Sequence, residues 1–354
     1  MAIKITKATN LKSKPQDESK LGFGTLFSDH MFIMEYEEGK GWFNQRVQPY
    51  ADITLDPAAT VFHYGQEIFE GLKAYRSEED KILLFRARDN ALRLNQSAER
   101  MCMPAIDPDM FVEAIKTLVG IDRDWVPKSA GTSLYLRPTM IATEVGLGVH
   151  PSKKYLFYII CSPSGAYYPK GLAPIRIYVE DNYVRAVKGG TGYAKTGGNY
   201  SASLKAAKDA EEKGYEQILW LDGKEMKYVE EVGSMNMMFV IDGKLCTAAL
   251  EGSILPGITR DSVLTLAREM GLTVEERKIQ ISELMEGSKN GKLQEAFGTG
   301  TAAVVSPVGE LTYKDVSVIV NNGEIGSWTQ KLYNALTDIQ WGRVKETHGW
   351  MDLI

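Results

Sequence analysis

The chain has 354 residues, with 41 basic and 46 acidic side chains and a formal net charge of -5 when the histidines are neutral. This length suggests about two domains, and the small acidic excess provides no basic surface for nucleic acid. No apolar run approaches the roughly 20 residues that cross a membrane as a helix, and the N-terminal residues lack the apolar core of a secretory signal. The three cysteines and four histidines are scattered, which argues against a disulfide framework or a metal centre and favours a cytoplasmic protein.

Strands and helices are both predicted in the first half of the chain. Apolar residues at a helical period predict two helices, one capped by Asp89 and one beginning after Asp107. Segments rich in β-branched and aromatic residues predict strands at residues 30–43 (two strands around a Glu-Gly turn), 71–87 (a hairpin), 132–142 and 154–162.

Proline and glycine are dense in residues 163–174, which marks a connection between domains. We expect a small N-terminal domain over residues 1–167, a linker over 168–174 and a large C-terminal domain over 175–354. Hairpins between successive strands favour an α+β fold with mixed or mainly antiparallel sheets and flanking helices. The second half is predicted to contain a strand at 175–180, a helix from about Tyr200 to Gly214, Asp-Gly hairpin turns at 222–223 and 242–243, a helix after Gly257, and a strand interrupted by a glycine-rich turn at 298–302.

One lysine, Lys195, lies between two glycine-rich runs in GGTGYAKTGGNY, residues 189–200. Glycine is used where the backbone adopts unusual dihedral angles or where another group approaches it closely. The segment is therefore typical of a loop that presents one amine, which could form a Schiff base with a carbonyl group. The alternatives are the phosphate-binding loop of a nucleotide-binding ATPase and an ordinary solvated loop.

The phosphate-loop hypothesis fits the sequence poorly. Ala194 stands where that motif has its second glycine, and the motif needs a helix that begins at the lysine. Gly197 and Gly198 disfavour such a helix. Asp222 is predicted to lie in a hairpin turn rather than at a magnesium site.

Several further features match the requirements of pyridoxal phosphate, a cofactor that needs an amine, a phosphate cradle and an acid beside its pyridine nitrogen. The predicted helix after Gly257 offers N–H groups at its N-terminus to an anion. The turn at residues 298–302 offers further N–H groups and hydroxyls, and Arg86 after a predicted strand could pair with phosphate. Glu231 is a candidate for the acid, with Glu230 beside it as the alternative.

An ordered series of motifs, from about residue 30 to the C-terminus, resembles the branched-chain amino-acid aminotransferases, which are fold type IV pyridoxal-phosphate enzymes. Such a series is more specific than any single motif. Its members are FHYGQEIFEGLKAYR (from Phe62), LLFRARDNALRLNQSAERMCMP (from Leu83), SLYLRPTMIATE (from Ser133), KTGGNY (from Lys195), QILWLDG (from Gln217), VEEVGSMN (from Val229), ILPGITR (from Ile254) and FGTGTAAVVSPV (from Phe297).

The resemblance implies cofactor-binding roles for the matching residues. Lys195 would form the Schiff base (the internal aldimine), Glu231, which directly precedes VGSMN, would face the pyridine nitrogen, and Tyr200 would bond the ring hydroxyl oxygen. Ser234 stands where relatives often have threonine and keeps the hydroxyl. The phosphate would be held by Arg86, the Ile258 and Thr259 backbone, and Thr301.

The resemblance also implies a substrate site. The substrate carboxylate would meet backbone N–H groups near Ala302, with Tyr64 contributing from the neighbouring subunit. Arg137 would accommodate the γ-carboxylate of glutamate. An apolar side-chain pocket would be lined by Phe69, Tyr135 and Tyr167.

The implied fold is the two-domain fold type IV architecture, and the implied assembly is a homodimer with active sites completed across the interface. The implied reaction is reversible ping-pong transfer of an amino group between L-leucine, L-isoleucine or L-valine and 2-oxoglutarate. Alternatives that share the fold are a D-amino-acid aminotransferase and an aminodeoxychorismate lyase. Residues 62–76 and FGTGTAA (from Phe297) favour the branched-chain group.

Overall fold

The structure is a computed structural model that describes residues 2–165 and 172–354. Tyr167 and residues 168–171 of the predicted linker therefore lie outside the described residues. The described chain divides into two compact units. The first comprises residues up to 165, Ala194–Gly197 and Asp338–Ile354, and the second comprises residues 172–193 and Gly198–Thr337.

The helices and strands are numbered along the chain. None of the helices in the described residues combines the length and hydropathy that crossing a bilayer requires. Up to residue 165 the elements are β1 (Lys4–Ile5), β2 (His30–Glu37), β3 (Gly41–Pro49), α1 (Thr60–Tyr64), β4 (Glu67–Phe69), β5 (Leu72–Arg76), β6 (Ile82–Phe85), α2 (Ala87–Arg100), α3 (Pro108–Ile121), β7 (Ser133–Ala142) and β8 (Lys154–Ser164). From residue 172 they are β9 (Ile175–Glu180), α4 (Gly197–Ser201), α5 (Leu204–Glu212), β10 (Gln217–Leu221), β11 (Val229–Val232), β12 (Met235–Ile241), β13 (Lys244–Ala248), α6 (Ile258–Glu269), β14 (Val274–Arg277), α7 (Ile281–Asn290), β15 (Leu293–Gly300), β16 (Val304–Tyr313), β17 (Val316–Ile319), α8 (Ser327–Gln340) and β18 (Met351–Leu353).

The first unit is built on one sheet with the strand order β1-β3-β2-β8-β7-β5-β6-β18, and β4 pairs with β7. Its described pairs are antiparallel except β1 with β3. The apolar faces of α2 and α3 pack on this sheet, where Leu94 and Phe111 join the buried cluster that contains Phe32, Leu84 and Phe157. The long central strands β7 and β8 therefore provide a rigid base for residues at the end of β4 and along β7.

The second unit has a mixed sheet with the order β11-β10-β9-β16-β15-β12-β13-β14, and β17 pairs with β16. Because β11 also pairs with β12, six of these strands close into a ring, which leaves those strands no open edge. Val232, Met237, Phe239 and Leu311 are buried in the core of this unit. The predicted α+β fold with mixed, mainly antiparallel sheets is confirmed.

The loop after β10 differs from the predicted two-residue Asp-Gly hairpin. Strand β10 ends at Leu221 and β11 begins at Val229. The Asp222 carboxylate accepts four backbone N–H groups of the intervening loop, at 2.7–3.2 Å, from Lys224, Glu225, Lys227 and Tyr228. Asp222 thus organises a longer loop from within, whereas the Asp-Gly turn at 242–243 is confirmed between β12 and β13.

Three other predicted boundaries are wrong. Helix α2 begins before Asp89, with Arg86 at its N-cap. The helix expected from Tyr200 is two helices, α4 and α5, since Ser203 donates its hydroxyl to the Tyr200 carbonyl (2.6 Å) and such side-chain bonds compete with a continuous helix. The strand β15 continues through Gly298 to Gly300, so that the turn lies later, at residues 301–303.

A buried ion pair ties α2 to the residue that follows β4. Glu70 accepts from Arg93 Nε and Nη2 at 2.8 Å each, and the two side chains are 0% and 7% exposed. The backbone N–H of the next residue, Gly71, also donates to the Glu70 carboxylate (3.1 Å). Removing one partner from such a pair leaves a buried charge without compensation.

We expect Arg93→Met to lower the free energy of unfolding by about 3–5 kcal/mol. Urea unfolding followed by circular dichroism measures this loss. The matched control is Lys81→Met, which removes a cation from the exposed pair with Glu79 and should leave the urea midpoint unchanged. Equal midpoints for the two variants would contradict the structural role of the Arg93 pair.

Candidate active site

The backbone of Lys195 is fixed by hydrogen bonds within the first unit. The Lys195 N–H donates to Ser97 Oγ on α2 (2.8 Å), and the Lys195 carbonyl accepts the N–H of Phe69 on β4 (3.0 Å). The next residue, Thr196, donates its hydroxyl to the Glu67 carbonyl (2.7 Å). The segment is thus attached to both α2 and β4, while the Lys195 side chain stays half-exposed.

Close approach explains two of the glycines around this lysine. A Cβ at residue 197 would overlap the Glu67 carboxylate, and a Cβ at residue 192 would overlap the Ser253 carbonyl. A side chain at residue 192 would push against the Ser253 backbone, whereas one at residue 197 would require the Glu67 side chain to move. The glycine-rich composition therefore follows from packing and needs no bound nucleotide.

The predicted pocket residues Phe69, Tyr135 and Arg137 lie together in the first unit. The Arg137 guanidinium carbon lies 4.8 Å from the Phe69 ring centroid and 5.4 Å from that of Tyr135, and Arg137 Nη2 donates to Tyr135 Oη at 3.2 Å. The Lys195 amine lies 4.9 Å from the same Phe69 ring. Phe23 packs edge-on against Tyr135, with ring centroids 4.9 Å apart. An amine, a guanidinium and three aromatic rings therefore meet in one cluster.

Two ionisable residues near this cluster were missed by sequence reasoning. Burial raises the pKa of the Glu67 carboxyl, and the nearby Arg137 charge opposes that rise. Lys73 lies opposite Tyr135 in the pairing of β5 with β7, and burial lowers its pKa to about 8. Both residues lie in segments whose sequence is that of an ordinary strand, so no local motif indicates that they are ionisable residues of a site. A buried lysine with a lowered pKa is a second candidate amine for covalent chemistry, although Lys195 is the more exposed of the two.

Arg86 lies at the N-cap of α2 in the left-handed region, with φ 52° and ψ 40°. Its Nε donates to Asp89 at 2.5 Å, and its guanidinium carbon lies 5.1 Å from the Trp350 ring. The Arg86 N–H donates to the Trp350 carbonyl (2.7 Å). These contacts hold a guanidinium at a helix N-terminus, an arrangement that favours an anion.

Glu231 is buried in the second unit and held by two donors. One oxygen accepts the Leu255 N–H (2.7 Å), and the other lies 3.2 Å from Arg185 Nε. Arg185 also donates to the carbonyls of Ser253 (3.0 Å) and Gly192 (3.3 and 3.4 Å). An ion pair and an N–H donor both stabilise the charged carboxylate. Arg185 was missed because its partner is distant in the sequence and no local pattern distinguishes it from a surface arginine.

Strand register places three polar residues in one row across the second unit. Glu231 on β11 is opposite Asn236 on β12, which is opposite Thr299 on β15. The Asn236 side chain donates to the Leu255 carbonyl (2.9 Å), and a Cβ at residue 257 would overlap its oxygen. Asn236 thus positions the turn that leads into α6, which the sequence did not indicate.

The predicted anion cradle comprises the N-terminus of α6 and the turn after β15, and Ser234 was predicted separately to contact the cofactor. Helix α6 begins after its N-cap Gly257, which has no capping side chain, so Ile258 and Thr259 both lie in its first turn. Ser234 is exposed in the turn between β11 and β12. Thr301 and Ala302 are half-buried in the turn after β15.

The predicted tyrosines have different surroundings. Tyr64 is exposed at the end of α1 and donates its hydroxyl to the Leu147 carbonyl. Tyr200 is half-buried in α4, and its neighbour Asn199 exchanges two hydrogen bonds with Thr191 (2.7 and 2.8 Å) that fix this turn. The Tyr167 prediction lies outside the described residues.

Comparison with known proteins agrees with these features. The family model of amino-transferase class IV matches residues 67–311. The chain is 55% identical to Branched-chain-amino-acid aminotransferase 2 of Bacillus subtilis (strain 168), over 98% of this chain and 96% of that protein. It superposes on the branched-chain amino acid aminotransferase of Escherichia coli with a TM-score of 0.76 at 29% identity, covering 91% of this chain and 98% of that one.

A second solved structure carries information about ligands. The T.th. branched-chain amino acid aminotransferase, complexed with N-(5'-phosphopyridoxyl)-L-glutamate, matches with a TM-score of 0.75 at 27% identity, covering 94% of this chain and 98% of that one. The family match and the near full-length identity exclude the nucleotide-binding hypothesis. The chain belongs to the class IV aminotransferases and, within them, to the branched-chain amino-acid aminotransferases.

Proposed function

We propose that the chain catalyses reversible ping-pong transfer of an amino group between L-leucine, L-isoleucine or L-valine and 2-oxoglutarate, with pyridoxal 5'-phosphate as cofactor. The observation that carries this proposal is the cluster at Phe69, whose ring centroid lies 4.9 Å from the Lys195 amine and 4.8 Å from the Arg137 guanidinium carbon. A donor with an aliphatic side chain needs an apolar wall, whereas an acceptor with a second carboxylate needs a cation. This cluster supplies both beside an amine.

The donor set fits the cofactor. When bound, pyridoxal phosphate supplies a conjugated ring that withdraws electrons from the substrate Cα. We assign Lys195 to hold the cofactor covalently and, once released, to move the Cα proton as general base and acid. We assign Glu231 to the pyridine nitrogen, because Arg185 and the Leu255 N–H keep its carboxylate charged and oriented. Tyr200 is assigned to the ring hydroxyl, Ser234 contributes a hydroxyl to the cofactor site, and the phosphate is assigned to Arg86, the Ile258 and Thr259 backbone, and Thr301.

The substrate assignments use the remaining predicted residues. Phe69 and Tyr135 form the apolar wall, and Arg137 receives the γ-carboxylate of glutamate. Backbone N–H groups near Ala302 receive the substrate carboxylate, with Tyr64 contributing from a second subunit. The T.th. enzyme supports a pyridoxyl cofactor and a glutamate ligand, because its crystal structure holds a compound that contains both.

The direct test is an assay of the purified holoenzyme with L-leucine and 2-oxoglutarate, in which glutamate formation is measured. We expect turnover with the parent chain and none with Lys195→Ala, because the variant has no amine at that position. Turnover of D-alanine without turnover of L-leucine would contradict the proposal and would identify the activity as that of a D-amino-acid aminotransferase. Full activity of Lys195→Ala would overturn the assignment of the amine.

We expect Arg137→Ala to raise the KM for 2-oxoglutarate by about 10- to 100-fold, because a charge-assisted hydrogen bond contributes about 1.5–3 kcal/mol. The half-reaction with L-leucine should be nearly unchanged, since an aliphatic side chain does not need the cation. Single-turnover kinetics of the two half-reactions measure both effects. Arg88→Ala, at an exposed arginine paired with Asp109, is the matched control. Equal losses in both half-reactions would argue against this role of Arg137.

Apolar side chains are exposed around α1 and supply the argument for a homodimer. Leu147 and Val149 are 66% and 82% exposed, and Phe62 is 61% exposed. The segment that carries them is ordered, because the Tyr64 hydroxyl donates to the Leu147 carbonyl and Gly146 donates its N–H to Ala58 (2.9 Å). An ordered apolar patch of this kind marks an interaction surface. We propose that a second copy of the chain covers it and thereby brings Tyr64 to its neighbour's site.

The double substitution Leu147→Asp with Val149→Asp should convert the dimer to monomers, because buried unpaired carboxylates oppose association. Sedimentation equilibrium measures the mass, and the leucine assay should fall in parallel. Val316→Asp changes an exposed valine of β17 and serves as the control that stays dimeric. A monomeric parent chain, or a dimeric double variant, would contradict the proposed interface.

The three cysteines, of which Cys102 is exposed, are all free thiols, as is usual for proteins of a reducing compartment. Cys161 and Cys246 are buried free thiols, and burial raises the pKa of each. Such thiols have little thiolate and react slowly. We therefore propose the cytoplasm as the cellular location of the enzyme.

A further inference from the structure

A cavity of about 450 Å³ opens in the second unit on the side of β11 that carries Glu230. Val187, Val229, Ala248 and Ile254 form an apolar part of its lining. Its volume lies in the range of small-molecule sites, and such sites combine an apolar lining with a few polar groups. None of its lining residues has a role in the function proposed above.

Glu230 places an unpaired carboxylate oxygen in the lining of this cavity. The residue is 7% exposed, and its Oε1 accepts the Ser253 hydroxyl. Its Oε2 is buried and has no hydrogen-bond partner in the described part of the chain. A buried polar atom without a partner costs free energy. A ligand that donates a hydrogen bond to Oε2 would remove this cost, and its binding would be favoured accordingly.

The charges around Glu230 favour a cation at this oxygen. Burial raises the pKa of Glu230 to about 7. The hydrogen bond from the Ser253 hydroxyl and the Arg185 charge act to lower this pKa, whereas the charges of Glu231 and Asp222 act to raise it. Arg185 already pairs with Glu231. The floor of the cavity therefore has more negative than positive charge.

The rim of the cavity carries cations as well as the acids Glu225 and Glu251. Arg277 is held by Glu275 and Glu283, and Lys278 lies 3.4 Å from Glu251. Lys188 and Lys224 also line the cavity, are exposed, and have no ion-pair partner within residues 2–165 and 172–354. The rim thus offers two ammonium groups to an anion.

We propose that this cavity binds an α-amino acid with a small aliphatic side chain, whose ammonium group donates to Glu230 and whose carboxylate meets Lys188 and Lys224. A zwitterion matches a buried carboxylate oxygen below two exposed ammonium groups, and the aliphatic side chain packs on Val187 and Ile254. The cavity shares no lining residue with the Lys195 cluster, and the proposal goes beyond the proposed function. The carbonyl of Ser253 accepts from Arg185 (3.0 Å), so Glu230 and the Glu231 ion pair share one hydrogen-bonded network.

Isothermal titration of the enzyme loaded with pyridoxamine 5'-phosphate tests this site, with L-leucine as the probe. This form of the cofactor already carries the amino group, so L-leucine cannot react with it. We expect saturable binding that Glu230→Gln weakens at least about tenfold, since a hydrogen bond between charged groups is lost. Glu225→Gln changes an exposed acid on the same cavity and should bind like the parent.

Two further measurements distinguish binding in this cavity from binding at the Lys195 cluster. Lys188→Met with Lys224→Met, at exposed positions that do not affect folding, should weaken binding about tenfold or more. Binding should also weaken as the pH falls from 8 to 6, because Glu230, whose pKa is influenced by Ser253, Glu231, Arg185 and Asp222, becomes protonated and no longer attracts an ammonium group.

Several results would overturn the proposal. The first is the absence of saturable L-leucine binding to the parent chain. The second is equal affinity in the parent, Glu230→Gln and the double lysine variant, which would place the binding at the Lys195 site. The third is equal affinity for 4-methylvalerate, which lacks the amine, because it would show that Glu230 contributes nothing.

Discussion

Backbone hydrogen bonds of Lys195 with Ser97 and Phe69, and the Thr196 hydroxyl that donates to the Glu67 carbonyl, hold the Lys195 segment on α2 and β4. The chemistry proposed for this chain depends on that attachment. A lysine on a free loop would have no preferred position, whereas here only the side chain can move. A Cβ at residue 197 would overlap the Glu67 carboxylate, so the glycine next to the anchored pair lets the Glu67 side chain lie close to this segment. Precise placement of a reacting group of this kind contributes much of the rate in enzymes.

Three buried carboxylates, those of Glu70, Glu231 and Glu230, differ in how far their charge is compensated by ion pairs and hydrogen bonds. Glu70 is fully compensated by Arg93, and Glu231 is compensated by Arg185 and an N–H group. Within the described residues, Glu230, its neighbour in the sequence, accepts the Ser253 hydroxyl on one oxygen and has no hydrogen-bond donor at the other. Because adjacent residues on a strand point to opposite faces, one of these two glutamates is available to the proposed pyridine nitrogen and the other to the cavity lined by Val229 and Ile254.

Much of the fold could be predicted from the sequence because local patterns report it. Apolar periodicity located α3 and α6, and the Asp-Gly turn between β12 and β13 followed from turn chemistry. The Asp222 loop was mistaken for the same turn, because four backbone N–H groups bond to its side chain and no short motif encodes that. The partners of the site residues could not be predicted either, because these contacts join segments that are distant in the sequence. Examples are the pairs Arg185 with Glu231, Asn236 with Leu255 and Phe23 with Tyr135. The site assignments rested on resemblance to a family, whereas Lys73 and the Glu230 cavity became visible only through burial.

The most direct measurement is to reduce the holoenzyme with borohydride, which makes the bond between cofactor and lysine permanent, and to locate the modified lysine by peptide mass spectrometry. The contacts that anchor the segment predict that Lys195 alone is modified. The competing outcome is modification of Lys73, whose burial lowers its pKa to about 8. That result would show that the amine beside Tyr135 on β5, and not the one in the anchored segment, carries the chemistry.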